Sequence, residues 1–131
     1  MSDQKFPASE KLKSRKLIQK MFSDGKSHFV YPIKWVYIAT EPRIDKANIT
    51  FTVSVSKKTF KRAVDRNLIK RRIREAYRLN KSEWLTKMKS ENRSVAIMAV
   101  YVGKVSEPYS LIEHAVKKLI SINKNSIQNI G

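Results

Sequence analysis

The chain has 131 residues, 41% of them hydrophobic. That is enough for one domain with a real core and too much for a disordered tail. It has no cysteine, which excludes disulfides, a thiolate nucleophile and a cysteine-built zinc site; its 28 Lys+Arg against 11 Asp+Glu give a net charge of +17, a self-repulsion most simply relieved by a polyanionic partner, above all nucleic acid.

Taken in chain order, a first helix is predicted from Glu10 to Ser23. Ser9 serves as its N-cap, Leu17, Ile18, Met21 and Phe22 form an apolar stripe, and Asp24-Gly25 is the stop. Residues 29–40, FVYPIKWVYIAT, read as a strand rich in aromatic and β-branched types, with Pro32 placing its start at an edge or outside the ladder. Glu41 to Lys46 is a polar turn. The next strand alternates cleanly: Ile49, Phe51, Val53 and Val55 on one face, Thr50, Thr52, Ser54 and Ser56 on the other. The apolar face must pack on helices, and the hydroxyl face is expected to line an open, wet surface.

Lys57 to Arg78 holds ten Lys/Arg against Asp65 and Glu75, and has helical spacing from about Ala63. Ser82 caps a short further turn carrying Trp84, Leu85 and Met88. Residues 95–102, VAIMAVYV, are apolar throughout, as suits a central strand covered on both faces. A last helix opens at Ser106-Glu107-Pro108 and runs to about Ile122, with Leu111, Ile112, Ala115, Val116, Leu119 and Ile120 facing the core. The reading is one domain over residues 1–131, ordered over about 9–122 with loose ends. The order is α-β-β-(β)-α-β-α, an α/β (α+β) two-layer sandwich around a small mixed sheet. No apolar run approaches a membrane span and no secretory leader is evident, so a cytoplasmic location without a membrane is expected.

On a wheel at about 100° per residue, Asn67, Lys70, Arg71, Arg74 and Arg78 share one arc of the basic helix. Ile69, Ile73, Ala76 and Tyr77 fall on a separate, roughly opposed arc. One face is thus anchored in a core and the other carries cations. Arg66, Lys70 and Arg74 stand one turn apart, a spacing for a row of phosphates. Arg offers a bidentate fork, Lys a point charge, and Asn67 both donates and accepts. A merely solvated face would mix signs to gain pairs four residues apart, whereas this one repels itself. The aromatics Phe29, Tyr31, Trp35 and Tyr37, near the hydroxyl face, suggest a second surface for unpaired RNA bases, although strand aromatics commonly belong to cores. His28 and His114 have no partners at metal spacing, and Asp24, Asp45 and Asp65 form no two-metal cluster. The chain's own side chains are therefore not expected to cut RNA.

The segment Ser54 to Tyr77, SVSKKTFKRAVDRNLIKRRIREAY, resembles the signature of the bacterial ribonuclease P protein component. That family shows a strand ending in V-S-K-K, then A-V-x-R-N-R-x-K-R-x-x-R-E. Here stand Val55-Ser56-Lys57-Lys58, then Ala63-Val64, Arg66-Asn67, Lys70-Arg71 and Arg74-Glu75. Phe22-Ser23-Asp24-Gly25 is similar to the family's F-x-x-G, and the element order agrees over roughly residues 9–122. Three departures stand out. Leu68 replaces the second Arg of R-N-R, with Arg72 or Arg62 as candidate replacements. The loop Lys58-Thr59-Phe60-Lys61 lacks the usual Gly and is one residue longer. Ile18 stands where an aromatic is common.

The resemblance implies a protein that binds a large catalytic RNA, which removes the 5′ leader of precursor tRNA using Mg²⁺ held mainly by the RNA. It implies a left-handed crossover between parallel strands. It assigns Arg66, Asn67, Lys70, Arg71 and Arg74 to the catalytic RNA, with Lys57, Lys58, Arg62 and Arg78 beside them. The leader cleft would be lined by Ile18, Phe22, Trp35, Tyr37, Thr52 and Ser54. The partners expected are the RNA subunit and precursor tRNA, with no obligate protein partner. The alternative is a structural RNA-binding protein of ribosomal type with no role in cleavage. The motif from Arg66 to Glu75 favours the first reading.

Overall fold

A computed structural model describes residues 15–41 and 48–130. The elements are α1 (Arg15–Asp24), β1 (Lys26–Val30), β2 (Ile33–Thr40), β3 (Ile49–Val55), α2 (Ala63–Asn80), α3 (Ser82–Ser90), β4 (Ser94–Tyr101) and α4 (Tyr109–Ile130). The proposed Ser9 cap, the first residues of the expected first helix and the turn from 42 to 46 lie outside the described residues.

The four strands form one sheet in the order β1-β2-β4-β3. β1 pairs antiparallel with β2, β2 antiparallel with β4, and β3 parallel with β4. The parallel pair requires a crossover, supplied by α2 and α3. β4 is the central strand its unbroken apolar sequence predicts. Val95, Ile97, Ala99 and Tyr101 face one way, Ala96 and Met98 the other, and all six are buried.

The larger core lies between the sheet and the layer of α2, α3 and α4. Ile49, Phe51, Val53 and Val55 of β3 enter it, as their alternation predicts, with Ile69, Ile73, Ala76 and Tyr77 of α2. Phe51 stacks flat on Tyr77, with ring centroids 4.0 Å apart. Trp84 and Met88 of α3 and Ile112, Ala115, Val116 and Leu119 of α4 complete it. The opposite sheet face carries a small second cluster in which Met21 of α1 covers Val36, Ala96 and Met98. Gly25 ends α1. Its N–H donates to the Met21 carbonyl at 2.9 Å, and a Cβ there would stand 2.3 Å from that same oxygen.

The structure corrects four sequence expectations. The single strand over 29–40 is a hairpin, because Tyr31 and Pro32 form its two-residue turn and Val30 pairs with Ile33. The last helix runs beyond Ile122 to Ile130. Asn123 is fully buried, and its side-chain oxygen accepts a hydrogen bond from the Trp35 indole N–H.

Trp35 and Tyr37 are not cleft residues. Both point into the larger core, where Trp35 is 0% and Tyr37 3% exposed. Trp35 packs against Phe51, while the Tyr37 ring stacks on His28 and its hydroxyl meets His28 Nε2 at 3.2 Å. Trp35→Ala should therefore cost about 3–5 kcal/mol of stability, as expected for a large buried side chain. Urea unfolding measures this. A variant of unchanged stability would return Trp35 to the surface.

Candidate RNA interface

β3 ends at Val55, and the chain reaches α2 through a tight loop. The Ser56 hydroxyl oxygen accepts from the backbone N–H groups of Lys58 and Thr59, and the Phe60 N–H donates to the Ser56 carbonyl at 3.0 Å. Phe60 is buried against the edge of Tyr101. A side-chain turn and an apolar anchor thus order a loop that has no glycine. Lys57 and Lys58 are left exposed at its tip.

The buried face of α2 consists of Ile69, Ile73, Ala76 and Tyr77, as the wheel predicts. The cations around it divide by what they touch. Arg66 is half-buried, and one of its terminal nitrogens donates to the carbonyls of Phe60 (2.8 Å) and Lys61 (3.0 Å), tying the helix start to the loop. Arg62 sits 3.9 Å from Asp65 in an exposed pair of little energetic weight. Arg78 forks onto Glu75 at 3.2 and 2.8 Å, and that hydrogen bond holds its guanidinium above the usual arginine range.

Among the described residues, the side chains of Lys57, Lys58, Asn67, Lys70, Arg71 and Arg74 have no hydrogen-bond or ion-pair partner. Arg74 is half-buried, and burial alone pulls its guanidinium below the usual arginine range. Its desolvation is unrelieved within the described residues, and an anion set against it would relieve it.

Neither candidate replacement for the missing arginine at Leu68 is a free cation. Arg72 donates to the Glu107 carbonyl at 2.6 Å and the Ser106 hydroxyl at 3.3 Å. By helical spacing it lies on the opposite flank from Lys70 and Arg74. The same loop is held from the other side. The Tyr31 hydroxyl donates to the Glu107 carboxylate at 2.7 Å, which keeps that hydroxyl protonated above the usual tyrosine range. Tyr101 donates to the Val105 carbonyl and accepts from the Glu107 N–H.

The second surface is the sheet face opposite the helix layer. Thr52 is half-buried and Ser54 exposed on it, as predicted. Ile18 is half-buried beside the Met21 cluster, and Phe22 is 64% exposed at the edge of α1. The aromatic on this face is Phe29, not Trp35 or Tyr37. It pairs with Lys34, Lys34 with Val100, and Val100 with Ser54, so one row crosses all four strands. Sequence reasoning placed Phe29 among four interchangeable aromatics and passed over Lys34. Only the strand register separates them.

The family model for Ribonuclease P matches residues 6–123 of this sequence. The chain belongs to the ribonuclease P protein family. It is 42% identical over 120 residues to the ribonuclease P protein component of Porphyromonas gingivalis strain W83, an alignment covering 89% of this chain and 85% of that one. Two solved structures share the fold. The RNase P protein of Staphylococcus aureus superposes with a TM-score of 0.64 at 23% identity, over 88% of this chain and 95% of that one. That of Thermotoga maritima gives 0.65 at 19% identity, over 86% and 96%. As a ribonuclease P protein component, the chain is a subunit of the tRNA-processing endoribonuclease.

Arg72 acts within the fold of this ribonuclease P protein. Arg72→Ala should lower stability by about 1–2 kcal/mol, as expected for lost hydrogen bonds from a charged donor, and speed amide exchange in residues 102–107. Arg71→Ala should leave stability within about 0.5 kcal/mol. Equal effects of the two substitutions would remove the distinction between clamp and free cation.

Proposed function

We propose that this protein docks on the RNA subunit of ribonuclease P through α2 and its preceding loop, and holds the 5′ leader of precursor tRNA on the open sheet face. The observation that carries the reading is the set of cations at the family-motif positions that have no partner among the described residues: Lys57, Lys58, Lys70, Arg71 and Arg74. Asn67 stands among them with its amide free to donate and accept. Phosphates of the catalytic RNA are the complementary groups. Arg66, Arg62 and Arg78 lie beside this set but are already engaged within the protein, so they contribute field more than free donors.

The open face supplies the second half. Ile18 and Phe22 offer apolar surface on α1, and Thr52 and Ser54 offer hydroxyls on β3. An unpaired strand can lay bases on the former and hydrogen-bond the latter. Mature tRNA has no leader, so this contact favours the precursor. The action is electrostatic and positional: the cations lower the repulsion between RNA segments, and the open face orders the leader. Among the described residues no three His, Asp or Glu side chains come together as metal ligands. In this reading Mg²⁺ is held by the RNA. The site of action is the cytoplasm.

The deciding experiment is 5′ cleavage of a precursor tRNA at low Mg²⁺ with the organism's catalytic RNA, with and without this protein. Cleavage only when both are present is expected. No rescue, with the RNA active alone at high Mg²⁺, would leave a structural RNA-binding protein. Binding to the RNA subunit should also fall by roughly 10³ between 50 and 200 mM salt if six phosphates are contacted. Lys70→Ala should reduce the slope of log affinity against log salt by about 1. An unchanged slope would take Lys70 out of the interface.

A further inference from the structure

We infer that Phe29 and Lys34 form a nucleotide-binding rung of their own on the open sheet face, taking one unpaired leader nucleotide distinct from the one met by Phe22. The inference rests on the leader reading given above and extends it to residues outside the family motif.

The two residues face each other across the β1–β2 pair, on the same side of the sheet. Cross-strand neighbours stand about 4.5–5.5 Å apart at Cβ. Phe29 is 59% exposed although it is a large apolar side chain on an edge strand. One exposed phenylalanine alone signifies little. This one heads a row whose other members suit one ligand class: an exposed lysine, the half-buried Val100 and the exposed Ser54. Together they provide a ring for stacking, a cation for phosphate, an apolar floor and a hydroxyl.

The next row, Ser27, Val36, Met98 and Thr52, lies in the part of the face where Met21 covers Val36 and Met98. Of the Phe29 row, Val100 packs against that cluster, while Phe29, Lys34 and Ser54 are exposed among the described residues. Among the described residues neither Phe29 nor Phe22 stacks on another ring. Both rings are therefore available, and they sit on different elements. A nucleotide can set its base on Phe29 while its phosphate meets Lys34. The net charge of +17 favours an anionic strand over an apolar peptide as the occupant.

The test uses the assembled holoenzyme and a series of precursors in which one abasic nucleotide is moved along the leader. Phe29→Ala should weaken precursor binding about ten-fold, within the range for loss of one base–aromatic stack. Mature tRNA binding and affinity for the RNA subunit should not change. One abasic position should reproduce the loss in the wild type and add nothing in Phe29→Ala. That position should differ from the one coupled to Phe22. Phe29→Tyr should keep the affinity, and Lys34→Ala should lower the salt slope by about 1.

Unchanged precursor binding by Phe29→Ala, an equal loss for mature tRNA, or no coupled leader position would overturn the rung while leaving the Phe22 contact standing. A wild type indifferent to every abasic position, with Phe22→Ala equally silent, would instead bring down the leader reading itself.

Discussion

The central strand β4 is buried along its whole length except at the half-buried Val100, and much of the molecule follows from that. Its odd-numbered residues, Val95 through Tyr101, must be covered by the helix layer, and Ala96 and Met98 by something on the other side. α2, α3 and α4 meet the first demand. α1 meets the second through Met21, but among the described residues its cover stops short of Lys34 and Ser54, which stay exposed on the same face. The uncovered remainder is the open face. The hydroxyl residues of β3 and the exposed Phe29 lie there because that side needs no full core. The site is what is left when the sheet is packed unequally.

The basic helix is subject to a second constraint. A helix that packs on a sheet by one arc must send the rest of its surface elsewhere, and here much of that surface is cationic. The cations nearest other backbone segments are drawn into holding them: Arg66 binds the carbonyls of the loop before the helix, Arg72 that of a loop 35 residues later. Others, among them Lys70, Arg71 and Arg74, have no partner among the described residues. Positive charge in this helix therefore has two uses that composition does not distinguish, organising the protein's own loops and presenting charge outward.

Much of the fold was legible. Strict alternation in β3, the unbroken apolar run of β4 and the helical spacing of α2 and α4 are strong signals, and each element lies where expected except that α4 runs on to Ile130. The hairpin was not, since Lys26-Ser27-His28 has no apolar period and Pro32 marks an edge or an interruption without saying that a second strand precedes it. Nor was the inward direction of Trp35 and Tyr37. The β2 sequence IKWVYIAT is apolar on both sides, so parity cannot be read from it, and only pairing with β4 tells the faces apart. The motif marked a run of cations by position, but it could not reveal which arginines are occupied at home. Arg66 and Arg72 donate to backbone carbonyls, which every residue possesses. Asn123 escaped for a similar reason: a polar residue in a polar stretch gives no sign that a buried indole needs its oxygen.

The turn at Tyr31-Pro32 sets the phase of this arrangement. Side chains alternate with period two, so the number of residues between β1 and β2 decides which of each neighbouring pair in β2 faces the helices. One added residue that slipped β2 against its partners would exchange Trp35 for Val36 and Tyr37 for Ile38. The indole would leave Asn123 behind and Lys34 would be driven toward the core. Length at this bend is thus far less negotiable than residue type, whereas the polar segment between β2 and β3 joins strands that are not neighbours and carries no such parity. A circular permutant or inserted tag belongs in the second place and not in the first.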